Sequence, residues 1–542
     1  MTNKKKKNKL LQTLIDYDIL IIIIIGIIII NFKNQIATLF IKSLDSTQYN
    51  IFGDLLSLYL PIGLIILWIV LSFFHIRNVS YLKQTGRNYS ADHAKYKRSY
   101  GSLVEYFKDS EKHKLDTSDF PSKNWKETNG LIFGKDRNKL ITIPSKSEGN
   151  IAVFGPPGSG KTSGLGIINA MQFKGSVLAV DIKGDIYNYV TKHSKRKIIR
   201  FCPDAPDALN ISCHFNPFNG LDKMTITDRK LYLENMATVL IADEGGSDGN
   251  YFSSRGRKMF RGITALILHE NPDASFPNVV HQILQGNIFD WVEKALKSDC
   301  TEAKELLASF YGNSEKNVSS AYDALTTALL NFSNPLLDEL LDNKKPSVSI
   351  NDLEKGYDVY LQISQEHLDT YAPLFTLLIE SFSTAFTKRP DNDKTNKPIL
   401  MLLDEFPQLT FSYELINKNL STLRSKGIIC MIIQQNLGQL EYRYRQDGSR
   451  AIVGNCNYQI ILGSNDVVSS KYFSDLFGDK RILKISNSET FSRNNTNGRS
   501  VQEATEKVFP PEYFGDLAAN KKMILYFKGK YVECTKLNCY TS

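Results

Sequence analysis

The run Gly155, Pro156, Pro157, Gly158, Ser159, Gly160, Lys161, Thr162 and Ser163 follows the apolar stretch Ile151 to Phe154 and has the spacing glycine, four residues, glycine-lysine-threonine. This spacing suits a chain of phosphates. Glycines let successive backbone N–H groups converge on an anion, the lysine sets a cation against the outer phosphates, and the threonine hydroxyl can ligate Mg²⁺. The residues from Gly164 to Ala170 have room to open a helix whose positive end faces the same anion. A nucleoside triphosphate with its Mg²⁺ is the expected ligand. A bland glycine turn is the competing reading, and the preceding strand speaks against it.

A second set of residues could complete that chemistry. Ile399 to Leu403 is a run of five apolar residues ending in Asp404 and Glu405. Hydrolysis of a triphosphate needs one acid in the Mg²⁺ shell and a neighbour that orients and deprotonates the attacking water. A strand's end beside the phosphate loop would supply both. Acids often terminate buried strands, so the pair gains its weight from the loop upstream in the same domain.

Ile428 to Ile433 is another buried strand and delivers Gln434 and Gln435. An amide there can sense a γ-phosphate through one hydrogen bond, or it is a surface glutamine; spacing does not choose. Arg424 just before that strand either reaches a neighbouring subunit's γ-phosphate or pairs with a helix acid. Asp181 and Asp185, closing the apolar stretch Ser176 to Val180, either act on the nucleotide's metal or cap the next helix.

The elements that must position these groups read as an α/β domain. Gly130 to Gly134 and Leu140 to Ile143 are short strands leading to Ile151. Strand, loop, helix and strand within about thirty residues make a βαβ unit, so a parallel sheet is expected. From Thr227 to about Leu341 apolar residues recur at helical spacing, as in Val318, Tyr322, Leu325 and Leu329, which predicts an inserted all-helical domain. Strands return at Tyr357 to Ile363 and Tyr458 to Leu462, and Met523 to Cys534 reads as a closing hairpin. The polar segment Ser486 to Glu506 reads as a mobile loop, with Phe491, Arg493 and Arg499 its candidates for DNA contact. The expected division is 1–78 membrane anchor, 79–128 linker, 129–226 with 343–542 nucleotide-binding domain, and 227–342 helical insertion.

A chain of 542 residues is too long for one core. Its net charge of +9 is concentrated at the start, where residues 1–100 hold thirteen Lys and Arg against five Asp. The remainder is nearly neutral, so any nucleic-acid contact there rests on local patches. Seven scattered cysteines show no zinc spacing and fit reduced cytoplasmic thiols.

Lys4 to Lys9 precede the isoleucine-rich run Ile19 to Ile30, and Leu55 to Phe74 is a charge-free apolar stretch. The second, about 30 Å long as a helix, matches a bilayer core. Two transmembrane helices are expected, with the following basic residues Arg77 to Arg98 placing the rest of the chain in the cytoplasm. A cleaved leader is the alternative for the first run, although Asn31-Phe32-Lys33 is no small-residue cleavage site.

Taken together, the two spans, Gly155 to Thr162, Asp181-Ile-Lys-Gly-Asp-Ile-Tyr-Asn188, Leu402-Leu-Asp-Glu-Phe406 and Gln435-Asn-Leu-Gly-Gln-Leu440 resemble the type IV secretion coupling proteins, the TraG/TraD-type ATPases of conjugation. The resemblance runs from about Gly130 onward. It implies a RecA-like P-loop motor under the inner membrane, a homo-hexamer that hydrolyses ATP. Such motors pass a relaxase-bound single DNA strand, or protein effectors, to the secretion channel, with relaxosome proteins as further partners. By position it implies Lys161 and Thr162 for phosphate and Mg²⁺, Asp404 for the metal, Glu405 for the water, Gln435 rather than Gln434 as sensor, and Arg424 as the inter-subunit arginine. Many members carry a longer C-terminal extension that recognises substrates, which leaves substrate choice open here. A septal DNA-translocating ATPase shares the motor but usually has a long linker and a terminal winged helix. A membrane-tethered, nucleotide-dependent scaffold with little turnover would not need both Lys161 and Glu405.

Overall fold

Among the described residues six strands are buried along their whole length, and burial on both faces is what a parallel sheet covered by helices on each side requires. In the computed structural model, residues 130–540 are described apart from 137–138, 144–148, 243–245, 410, 412 and 491–495. The expected membrane segments and the 79–128 linker lie outside the described residues. Among the described residues no helix is long and apolar enough to cross a membrane.

In chain order, β1 (Leu131–Asp136), β2 (Lys139–Ile143) and β3 (Ile151–Phe154) lead through the glycine-rich loop to a π-helical turn, Thr162–Gly166, and α1 (Ile167–Gln172). Then come β4 (Ser176–Asp181), α2 (Asp185–His193) and β5 (Ile198–Phe201). A helical stretch follows: α3 (Ala208–Ile211), α4 (Ile226–Leu240), α5 (Gly246–Glu270), α6 (Phe276–Gln285), α7 (Ile288–Lys297), α8 (Thr301–Leu307), α9 (Glu315–Leu330), α10 (Pro335–Leu340) and α11 (Ile350–Glu354). The sheet resumes with β6 (Asp358–Gln362), α12 (Leu368–Thr387), β7 (Ile399–Leu403), α13 (Tyr413–Leu423), β8 (Ile428–Gln434), α14 (Leu437–Gly454), β9 (Tyr458–Ile461) and α15 (Val467–Phe477). Last are β10 (Asp479–Thr490), β11 (Thr496–Lys507), α16 (Glu512–Ala519), β12 (Lys522–Phe527) and β13 (Lys530–Thr535).

The strands form an eleven-stranded sheet in the order β2-β1-β13-β12-β9-β3-β8-β7-β4-β6-β5. From β9 to β5 all neighbours are parallel; β12, β13, β1 and β2 extend the β9 edge in antiparallel fashion. The two-residue pleat sorts the core in two. Phe154, Val180, Leu361, Leu403 and Ile432 face one buried cluster, shared with α4, α5, α12 and α14. Val153, Ala179, Tyr360, Leu402 and Ile433 face the other, shared with α1 and α2.

This sheet explains the position of the phosphate loop. It leaves the C-terminal end of β3, between β8 and β9, while β7 and β4 end on the far side of β8. Every carboxylate considered above therefore emerges at the same edge of the sheet, where ligands bind in open α/β folds.

One expectation fails. Residues 486–506 are not a loop throughout: β10 and β11 pair with each other as a two-stranded ribbon separate from the large sheet. Ser, Asn, Thr and Arg give no apolar alternation, and backbone pairing in a ribbon needs none. Arg499 falls on β11, whereas Phe491 and Arg493 lie outside the described residues.

Candidate functional site

Gly158 and Gly160 adopt φ of 76° and 91°, the left-handed conformations that turn the loop's N–H groups inward. Pro157 and Gly158 are exposed at its tip, and Ser159 is buried with its hydroxyl making no hydrogen bond. Lys161 is only 8% exposed and donates from Nζ to the carbonyls of Gly155 at 2.7 Å and Pro156 at 3.2 Å. Burial lowers its pKa, against the opposing pull of the Glu405 and Asp404 charges. The helix expected after the loop is present, and its first turn, Thr162 to Gly166, is π-helical, a local widening often found at functional sites.

The acids arrive from β7. Thr162 Oγ1 donates to Asp404 Oδ2 at 3.3 Å across 242 residues of sequence. Asp404 is 5% exposed, and burial, with Glu405 and Asp181 nearby, pushes its carboxyl up to about 7. Gln435 Nε2 lies 3.3 Å from both carboxylate oxygens of Glu405. The neighbouring Gln434 points the other way: it is fully buried, and neither side-chain amide atom is hydrogen-bonded. The pleat thus separates the two glutamines that spacing left equivalent.

Asp181 and Asp185 divide their roles. Asp181 Oδ2 accepts from the Tyr187 N–H at 2.8 Å, tying β4 to the start of α2, which is the capping arrangement. Its Oδ1 makes no hydrogen bond, and burial pushes the carboxyl up to about 6. Asp185 is exposed and lines the same cavity as the phosphate loop, a space of about 280 Å³ also bounded by Asp404, Glu405, Gln435, Lys183 and Tyr540.

Lys183 and Tyr540 were not singled out in the sequence. Lys183 lies two residues beyond Asp181, a signal that was available. Tyr540 is far from every motif and carries no local signal.

Arg424 is not part of this cluster. It precedes β8, whereas Gln435 follows it, and the seven residues of β8 at about 3.3 Å each put roughly 20 Å between them.

The donor set suits a hydrated magnesium ion. Three neighbouring acids, Asp181, Asp404 and Glu405, are all buried, with Lys161 as the cation among them. No three His, Cys, Asp or Glu side chains among the described residues form a ready cage for a metal. A Mg²⁺ site made of one hydroxyl, one carboxylate, waters and substrate phosphates needs none.

Fold and site together define a P-loop protein of the RecA-like α/β class. The likeness to solved structures agrees: a plasmid coupling protein, TrwB, in complex with the non-hydrolysable ATP analogue ADPNP superposes with a TM-score of 0.60 at 16% identity, covering 78% of this chain and 92% of that one. TrwB in complex with ADP and Mg²⁺ gives a TM-score of 0.58 at 15% identity, covering 78% and 93%. Residues 96–542 match the family model described as type IV secretory system conjugative DNA transfer, and the chain belongs to that family. Protein VirD4 of Agrobacterium fabrum is 26% identical over 411 residues, 73% of this chain and 60% of the relative. The chain spans about 60% of the length of these curated relatives.

Proposed function

We propose that this chain is a membrane-anchored coupling ATPase that uses ATP hydrolysis to pass a relaxase-bound DNA strand, or protein effectors, to a type IV secretion channel. The observation that carries this reading is the meeting of Thr162 with Asp404, and of Glu405 with Gln435, beside the phosphate loop in a member of this family.

Each residue has a task that follows from its place. Gly155 to Ser163 cradle the phosphates through backbone N–H groups, and Lys161 turns its ammonium from the loop carbonyls to the outer phosphates. Thr162 and Asp404 would hold Mg²⁺, which when bound would neutralise charge on the phosphates. Glu405 accepts a proton from the attacking water, oriented by the carboxylate and by Gln435. When phosphate leaves, the Gln435 amide returns to Glu405, and α14, which begins two residues later, carries the change away from the site. Arg424, at the opposite end of its own sheet, is suited to a neighbouring subunit's site, which fits a homo-hexamer. The inner-membrane anchor rests on Ile19 to Ile30 and Leu55 to Phe74, with the motor cytoplasmic.

The test is ATP turnover by the full chain, with and without single-stranded DNA. Lys161→Ala and Glu405→Gln should each lower turnover by about 100-fold or more, with ATP binding kept in the Glu405 variant. Stimulation by DNA supports DNA transfer, and indifference to DNA favours protein export. Equal turnover by wild type and Lys161→Ala would refute the site.

A further inference from the structure

The cavity that holds the phosphate loop has one aromatic wall, and it comes from the segment following β13. Tyr540 lines this cavity together with Lys161, Thr162 and Asp185, yet its side chain is 65% exposed. We propose that Tyr540 is the platform on which the base of the bound nucleoside triphosphate stacks. The proposal rests on the nucleotide reading above and adds to it the residue that would hold the base.

Three contacts fix the platform relative to the phosphates. The N–H of Cys539 donates to the carbonyl of Ser163 at 3.1 Å, directly after the Lys161–Thr162 pair. A backbone hydrogen bond of this kind keeps the two chains about 5 Å apart. The hydroxyl of Tyr189, on α2, donates to the carbonyl of Cys539 at 2.7 Å. At Gly164 a β-carbon would stand 2.5 Å from the carbonyl oxygen of Leu537, so only glycine lets the segment lie this close to the helix. The segment is thus clamped to the first turn after the phosphate loop and to α2 at once.

The ring itself is held on one side. Tyr189 packs against Tyr540 edge to face, with centroids 5.4 Å apart and planes at 83°, and Tyr189 is in turn stacked on His193. A large aromatic ring that lines the cavity, is supported by a second ring and is still mostly exposed has a surface left for another flat partner. A base held by stacking is chosen by its π-face and not by its hydrogen-bonding edge. Purines should therefore bind more tightly than pyrimidines, with little discrimination between adenine and guanine.

The experiment compares equilibrium binding of ATP and of inorganic triphosphate to the full chain by calorimetry. Tyr540→Ala should weaken ATP about tenfold, in the range that loss of one base–aromatic stack produces, and leave triphosphate affinity unchanged. Tyr540→Phe should bind ATP like wild type. Unchanged ATP affinity in Tyr540→Ala, or an equal loss for ATP and triphosphate, overturns the platform while leaving the phosphate site standing. Lys161→Ala separates the two claims: if it leaves triphosphate affinity untouched, the phosphate site itself is wrong and the platform falls with it.

Discussion

Glu405 occupies a left-handed backbone conformation, φ 50° and ψ 40°, that costs a residue with a β-carbon about 1–2 kcal/mol. The turn it makes at the end of β7 points its carboxylate at Gln435 while Asp404 reaches Thr162 from the preceding position. A second buried acid behaves differently. Glu380 on α12 is 3% exposed, its Oε2 makes no hydrogen bond, and burial pushes its carboxyl from 4.5 up to about 8. The folded chain then holds a proton that the unfolded chain releases near pH 4.5. Its contribution to stability is complete below that pH and is lost as pH rises towards about 8. Glu380→Gln should match wild type in melting temperature at pH 5 and exceed it at pH 9. Parallel pH curves for the two proteins would show that Glu380 is not buried as a neutral acid. At this scale the sequence was legible where chemistry is tied to spacing, as in Lys161, Thr162, Asp404 and Glu405. Spacing alone was silent on Gln434 against Gln435; the family resemblance implied Gln435, and the direction of the pleat is what separates the two side chains.

The elements hold these residues through the entry side of the sheet as much as through its ligand side. Arg196 bonds Asp358 at the start of β6 and also donates to the carbonyls of Phe173 and Gly175, so one guanidinium ties α1, β4 and β6 together. Asp358 accepts in addition from the Val177 N–H at 2.9 Å, and its side chain is 1% exposed. Arg196→Met should destabilise the fold by about 3 kcal/mol or more, because it leaves a buried carboxylate without its cation. Urea unfolding measures this, and a change under about 1 kcal/mol would mean that water replaces the guanidinium at little cost. The parallel strands could be read from sequence because burial on both faces makes them continuous apolar runs, such as Ile399–Leu403 and Ile428–Ile433. The β10–β11 ribbon could not, since its residues are polar and its pairing is a matter of backbone alone.

For the molecule as a whole, the geometry of β8 bears on assembly. With Gln435 at one end and Arg424 at the other, a single chain does not bring both to one phosphate site. In a ring, a neighbour can. Arg424→Ala and Lys161→Ala should each be inactive alone, and a mixture of the two should regain turnover, since some interfaces then pair an intact phosphate loop with an intact arginine. A mixture no more active than its parts would place Arg424 in a purely structural role. The segment after β13 also belongs to this scale, for the platform at Tyr540 depends on residues 376 positions from Gly164 being folded against it, a proximity that no local pattern announces.

The most direct measurement is a structure of the full chain with a non-hydrolysable ATP analogue and Mg²⁺. The metal should lie about 2.1 Å from Thr162 Oγ1, with Asp404 in its shell and the γ-phosphate facing Glu405 and Gln435. A nucleotide bound elsewhere, or an ion out of reach of both Thr162 and Asp404, would contradict the site and the motor built on it.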